Sequence, residues 1–311
     1  MTSKRMIQAL TGWADSWHGA EAWNPSSNGS IDWIRAIPFV GLHLALPLVL
    51  WVGWSPLAVG LAVALYLVRM FAITAFYHRY FSHRAFRTGR IRQFLFAVLG
   101  SSAAQRGPIW WASHHRHHHA TADCEGDHHS PTLLGLVWSH AGWIVSPACR
   151  YPDFDRASDW MKFPELRFLD RFDKFVPVLL IAVLYGAGEY LAGAAPQLGT
   201  NGLQLVMWGF IISTLCLWHA TFTINSLSHY WGKRRFATKD DSRNNLLLAI
   251  LTLGEGWHNN HHYYAGSCRQ GFYWWEADIT YLVLHVMSRF GIVADLKPVP
   301  ARVYEVAAEN P

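Results

Sequence analysis

Four stretches of this chain, 36–54, 57–77, 175–195 and 203–224, stay apolar long enough to cross ~30 Å of hydrocarbon at ~1.5 Å per residue. Nothing else in the sequence constrains the fold as strongly. A segment in lipid must satisfy its own backbone hydrogen bonds, and a helix does this without a partner. The turns "SP" at 55–56 and "PQLGTNG" at 196–202 carry no charge, so the four helices are expected as two hairpins. Of the 26 Lys and Arg residues, 3 precede the first span, 13 lie between residues 77 and 175, 9 follow residue 224, and Arg69 alone stands inside a span. The positive-inside rule then puts both termini and the long middle segment in the cytoplasm. Topology accounts for the net charge of +5, and nothing points to a nucleic-acid partner.

Composition adds a second constraint. At 51% hydrophobic and 15% charged, the chain is too apolar for an ordinary soluble enzyme and too polar for a bare bundle of spanning helices. Its 17 Trp and 12 Tyr suit a membrane–water boundary. The expected class is all-α integral membrane: four transmembrane helices in two hairpins, with a helical cytoplasmic cap. Residues 1–35 form a cytoplasmic N-terminal segment with Asp15, Glu21 and Asp32 and no secretory apolar run. Residues 36–296 form one integrated unit with cytoplasmic parts 78–174 and 225–296, and 297–311 is a tail. The shorter apolar runs 91–104, 132–147 and 274–290 read as interfacial or capping helices. Cys124, Cys149, Cys216 and Cys268 are scattered without C-x-x-C spacing, so neither a disulfide framework nor a cysteine zinc site is indicated. Two intramembrane charges stand out. Glu189 is expected to snorkel outward, and Arg69 either hydrogen-bonds inside the bundle or lies near a substrate path.

Nine of the 18 histidines fall into patterned sets: "HRYFSH" (His78, His83), "HRHHH" (His115, His118, His119), "NSLSH" (Asn225, His229) and "HNNHH" (His258, His261, His262). Residues at i, i+3 and i+4 share a helical face, so each H-x-x-H-H triplet is expected to converge on one point, and Asn225 to join His229. His114 and His117 turn away from that face. His78 and His83, five apart, stand ~140° apart on an ideal helix, so they meet only if the helix ends between them or if they serve two ions. One histidine tract alone can be an adventitious metal binder, but two such triplets about 140 residues apart are not explained that way. Nine histidines and an asparagine in these motifs exceed the four ligands of one zinc and suit two ions, with a nitrogen-rich donor set compatible with oxygen activation at iron. His18, His43, His128, His129, His140, His219 and His285 fit no pattern and read as structural, with His128, His129 and His140 near enough to support the ligands. The Glu-x-x-His spacings at Glu125/His128 and Glu255/His258 would suit a ferritin-like di-iron bundle, but they sit among turn residues.

These motifs, H-x4-H, H-x2-H-H, N-S-x-x-H and H-x2-H-H, interleaved with two hairpins, resemble the integral-membrane fatty-acid desaturases of the delta-9 (stearoyl-CoA desaturase-like) family over about residues 36–296. "GPIWW", "DSRNN" and "GEGWHNNHH" are similar to its bacterial branch. The resemblance implies an O2-dependent acyl desaturase of the bacterial inner membrane that inserts a cis, delta-9 double bond. It implies two non-haem Fe ions on His78, His83, His115, His118, His119, His229, His258, His261 and His262, with Asn225 reaching one through water. The Arg-Asp pair that contacts CoA in animal members is replaced by Ser113 and His114, which leaves the acyl carrier open among CoA, membrane lipid and acyl carrier protein. About fifteen residues follow the last expected helix, too few for a fused cytochrome b5, so electrons are expected from a separate ferredoxin or cytochrome b5 type donor. Trp110, Trp111, Trp143 and Trp257 are candidates to line an acyl tunnel or to pack at the interface. The neighbouring activities are a lipid hydroxylase or ketolase and, from another class, a histidine-rich metal transporter. A transporter would place its ligands near the bilayer midplane.

Overall fold

The computed structural model describes residues 11–20 and 29–309. Within the N-terminal segment, residues 1–10 and 21–28 therefore lie outside the described residues, as do 310–311 of the tail. The described chain is helical and contains no strand, only three isolated bridges (Arg87 with Ala294, Lys233 with Asn244, and Asn244 with Trp257).

Four helices are long and apolar enough to cross a membrane: α1 (Trp33–Val52), α2 (Pro56–Ser82), α6 (Phe175–Ala194) and α7 (Gly202–His229). Their starts follow from local chemistry, since the first amides of a helix need acceptors. Asp32 accepts from Arg35 N, Ser55 from Ala58 N ahead of Pro56, and Asn201 from Gln204 N. Glu189 is exposed, in keeping with a carboxylate that reaches outward. Its Oε1 accepts the Gly202 amide at 3.0 Å and so caps α7 from the facing helix. Leu50, Trp51 and Tyr190 stay largely exposed on these helices, as faces that meet lipid do.

Arg69 is buried and ties three elements together. Its guanidinium donates to Leu65 O, to Ser102 O, to Thr214 Oγ1 at 2.8 Å, and to Gly209 O and Ser213 Oγ. Of its two expected roles, this is the structural one. A second polar ladder joins α1 to α7: His43 Nε2 meets His219 Nε2 at 2.9 Å, His219 Nδ1 meets His140 Nε2 at 3.0 Å, and His140 Nδ1 meets Ser226 Oγ at 3.0 Å.

Both α2 and α7 outrun a spanning length and carry π-helical turns, at Ala72–Ser82 and Met207–Ile212. Six further helices gather around the far ends of these two: α3 (Arg90–Ser101), α4 (Pro108–Thr121), α5 (Pro164–Arg171), α8 (Leu246–Leu251), α9 (His258–Tyr263) and α10 (Ile279–Arg289). Phe76 of α2 stacks on Phe96 of α3, and Phe81 meets Trp160, in the core that fixes this arrangement. Ile91, Leu95, Leu247, Ile250, Leu282 and Val286 leave α3, α8 and α10 with exposed apolar residues, as expected of helices at an interface.

Candidate metal centre

The position of α4 is set by a close approach. Gly107 lies so near α5 that a Cβ there would come within 2.3 Å of Asp170, and Asp170 Oδ1 accepts the Trp110 amide at 2.7 Å, capping a helix whose own N-cap has no side chain. Pro108 at the first turn lacks the amide that would otherwise need a partner. This carries His115, His118 and His119 into the centre of the cap.

All nine motif histidines come together, in two groups whose ligand atoms lie within 4.8 Å of one another: His78, His83, His115, His119 and His261 in one, His118, His229, His258 and His262 in the other. The triplets do not converge as expected. Each splits, with the i, i+4 pair His115/His119 in the first group and His118 in the second, and conversely His258/His262 in the second and His261 in the first. Four residues of helix turn ~40° past a full circle and three fall ~60° short, so one triplet can face two points. The helix ends at Ser82, between His78 and His83, which is one of the two expected routes by which they could meet. The His83 amide bonds to His78 O at 3.2 Å across five residues, the π-helical pattern, which brings the two rings to 4.9 Å. Asn225 ends the α-helical part of α7 and lines a cavity with His118 and His258.

The imidazoles face one another through Nε2. His83 and His115 stand 2.8 Å apart, His115 and His119 3.0 Å, His119 and His261 2.9 Å, His261 and His78 3.0 Å, and His229 and His258 2.9 Å. Behind them, Nδ1 of His229 is 2.7 Å from Asp123, Nδ1 of His262 is 3.0 Å from Asp240, and Nδ1 of His118 is 3.2 Å from Asp127, while Nδ1 of His78 contacts Glu255. These carboxylates keep the ring proton on Nδ1 and leave the Nε2 lone pair pointing inward. His262 Nε2 is buried without a hydrogen-bond partner among the described residues. Lone pairs converging at such distances repel unless a cation stands between them, so the donor set fits a pair of metal ions, each with imidazole ligands.

Burial, reinforced by neighbouring imidazoles, holds the pKa values of His83, His115, His119, His258 and His261 well below the ordinary value, and lowers His262 to about 4 against the pull of Asp240. Near neutrality these rings are in the ligand form. Burial opposes ionisation of Asp123, Asp127 and Asp240, yet His229, His129 with His118, and His262 respectively hold these carboxyls below their usual range. Glu255 likewise stays low, held by His78 and Arg79 against its burial. Four carboxylates therefore surround the imidazoles, a negative shell that would offset the charge of bound cations. Sequence reasoning missed three of them. Asp123 and Asp127 sit four and eight residues after His119, and Asp240 lies in "DDSRNN", so acidic residues in turns beside the boxes were the available signal. His129, with its ring 4.2 Å from His118 and Nδ1 3.8 Å from Asp127, joins this outer layer, whereas His140 belongs to the ladder described above.

A cavity of about 630 Å³ runs from His78, His115, His118 and His258 down between Phe39 and Leu42 of α1, Pro177 and Ile181 of α6, and Phe210, Trp218 and Phe222 of α7. Trp110, Trp111 and Trp143 line it. Trp257 does not: it is buried, with Nε1 bonded to Ala277 O at 2.9 Å. At one end the walls turn basic. Arg35, Arg106 and Lys174 line the cavity, and Arg150 joins them around an adjoining hollow. The acids there are Asp173, 3.1 Å from Arg106 and 2.9 Å from Lys174, and Asp32, 3.8 Å from both Arg35 and Arg150.

An apolar cavity reaching clustered imidazoles between helices long enough to cross a membrane fits the class of membrane oxidoreductases that act on long apolar substrates. The fatty acid desaturase family matches residues 53–282, and this chain belongs to that family. It is 35% identical over 281 residues to the acyl-CoA 5-desaturase of Anemone leveillei, covering 89% of this chain and 82% of that one. It is 32% identical over 275 residues to the sn-1 stearoyl-lipid 9-desaturase of Anabaena variabilis, covering 88% and 96%. It is 34% identical over 281 residues to the sn-2 palmitoyl-lipid 9-desaturase of a Nostoc species, covering 88% and 93%.

Proposed function

We propose that this chain is an O2-dependent acyl desaturase that holds two iron ions in its two histidine groups and places a cis double bond between C9 and C10 of a saturated acyl chain. The observation that carries this reading is the meeting of nine imidazoles, five buried and four half-buried, with the head of an apolar cavity. His78, His83, His115, His119 and His261 are the ligands proposed for one ion, and His118, His229, His258 and His262 for the other, with Asn225 at the second through water. Iron bound there supplies the dioxygen activation that breaking two unactivated C–H bonds requires. The net change uses one O2, two electrons and two protons and releases two waters, with electrons from a separate ferredoxin or cytochrome b5 type protein.

The protein's own residues contribute position. Phe39, Phe210, Trp218 and Phe222 bury the chain at ~0.8 kcal/mol per methylene and exclude water. Trp111, stacked on His115 with ring centroids 5.0 Å apart, sits where the chain passes the metal ligands. Asp123, Asp127, Asp240 and Glu255 hold the rings in one tautomer. Displacing the chain by ~1 Å would cost about a hundredfold in rate, so the length of cavity between its basic mouth and the histidines selects the bond that reacts. The basic mouth favours a carrier bearing phosphate, a group shared by CoA, phospholipid and the prosthetic arm of acyl carrier protein. We place the enzyme in the bacterial inner membrane with its termini and metal centre cytoplasmic, the reading that the distribution of Lys and Arg supports.

Lipid analysis of cells expressing the full chain tests the proposal. A new mono-unsaturated chain with its double bond at C9 is expected. A hydroxylated product would replace desaturation by hydroxylation, a double bond elsewhere would overturn the regiochemistry alone, and unchanged lipids with altered cell metal would favour transport. Parallel assays with acyl-CoA, acyl-phospholipid and acyl carrier protein identify the carrier.

A further inference from the structure

One turn of α4 before His118, a second cluster stands beside the metal centre. His114 and the loop residue His128 meet Cys149, of the turn Pro147–Cys149, with one ligand atom from each within 4.8 Å of the others. None of the three belongs to the histidine motifs. We propose that His114, His128 and Cys149 form a separate site, two imidazole nitrogens and one thiolate sulfur, for a borderline-soft divalent cation, Zn2+, with water as the fourth ligand.

Three observations point to a ligand here rather than to simple packing. His114 Nε2 donates to Tyr151 O at 2.9 Å, which fixes the tautomer and leaves Nδ1 as a lone pair, the arrangement that backbone carbonyls impose on metal-bound imidazoles. His128 Nδ1 is buried with no hydrogen-bond partner among the described residues, and such an atom is costly unless something satisfies it. Cys149 is free and 2% exposed, in apolar surroundings that push its thiol pKa up, so the thiolate persists there only beside a cation. Two imidazoles and a thiolate are the donor types that select zinc, and on binding the thiol proton passes to water. His114 also lines the large cavity, through which an ion and its water ligand can arrive.

The site has a structural consequence. His128 belongs to the same loop as Asp123 and Asp127, the carboxylates that orient His229 and His118. An ion at His128 staples that loop to α4 and to the 147–149 turn, so the outer support of the metal centre is held from behind.

Cobalt substitution tests this independently of any catalytic reading. The purified full chain, stripped of metal and titrated with Co2+, is expected to gain a near-ultraviolet thiolate-to-cobalt charge-transfer absorption that Cys149→Ser lacks and His128→Ala loses or weakens. With Zn2+, wild type is expected to bind one ion more than either variant. A wild-type cobalt protein without the thiolate band, or a Cys149→Ser variant that keeps it, would overturn the proposal. Equal zinc stoichiometry in wild type and variants would do the same.

Discussion

His118 and His261 belong to different groups although both come from H-x-x-H-H triplets, so each tests one half of the centre. Replacing either by Ala is expected to abolish unsaturated product in lipid analysis and to lower bound metal. Asp240 makes a finer test, because it touches no reacting group and reaches the centre through His262 Nδ1, while its other oxygen accepts the Ser242 amide. Asp240→Asn is expected to weaken metal binding by about 10–100-fold in a metal titration while the helical content stays at the wild-type level. Acid reads the same layer. The centre's histidines have depressed folded-state pKa values, about 4 at His262 and well below the ordinary value at five others, against ~6.5 in the unfolded chain. The unfolded chain therefore takes up protons first, so the stability these rings contribute is complete above pH ~6.5 and is lost as pH falls toward 4 and below. Thermal unfolding of the metal-free protein across that range is expected to show a falling melting temperature, and a flat profile would contradict it.

The five-residue spacing of His78 and His83 works only because Ala72–Ser82 is wound as a π-helix. Inserting one Ala after Tyr80 puts the two rings six apart, out of register with either winding, and is expected to cost the first group its metal and the enzyme its product. The same insertion within residues 196–199 alters a turn far from the histidines and is expected to be tolerated in both assays. A π turn has no hydropathy signature, so the sequence pattern read this segment as an ordinary helix. The caps at Asp32, Ser55 and Asn201, by contrast, are local events, each a side-chain acceptor next to its own helix. The cap of α4 comes from Asp170, sixty residues away, and gives no such signal.

For the whole molecule, the deciding quantity is where the cavity begins and ends. Its mouth gathers Arg35, Arg106, Arg150 and Lys174 from four separate parts of the chain, with Asp32 and Asp173 as partial counter-charges. Arg150→Gln and Lys174→Gln are each expected to raise KM for a phosphate-bearing acyl substrate several-fold with little change in kcat, and the effect is expected to shrink as salt rises. A change confined to kcat would place these cations outside substrate binding.

The sequence by itself determined the four membrane-length helices, the all-helical class, the family likeness and the identity of the motif histidines, because apolar length and helical periodicity are written in neighbouring residues. Which histidines gather in each group, the carboxylates behind them, the cap of α4, the role of Arg69, and the meeting of Cys149 with His114 and His128 were decided only when distant segments packed together. A side chain's partners across the fold depend on how helices pack and where they wind as π turns, and no local pattern of residues encodes that.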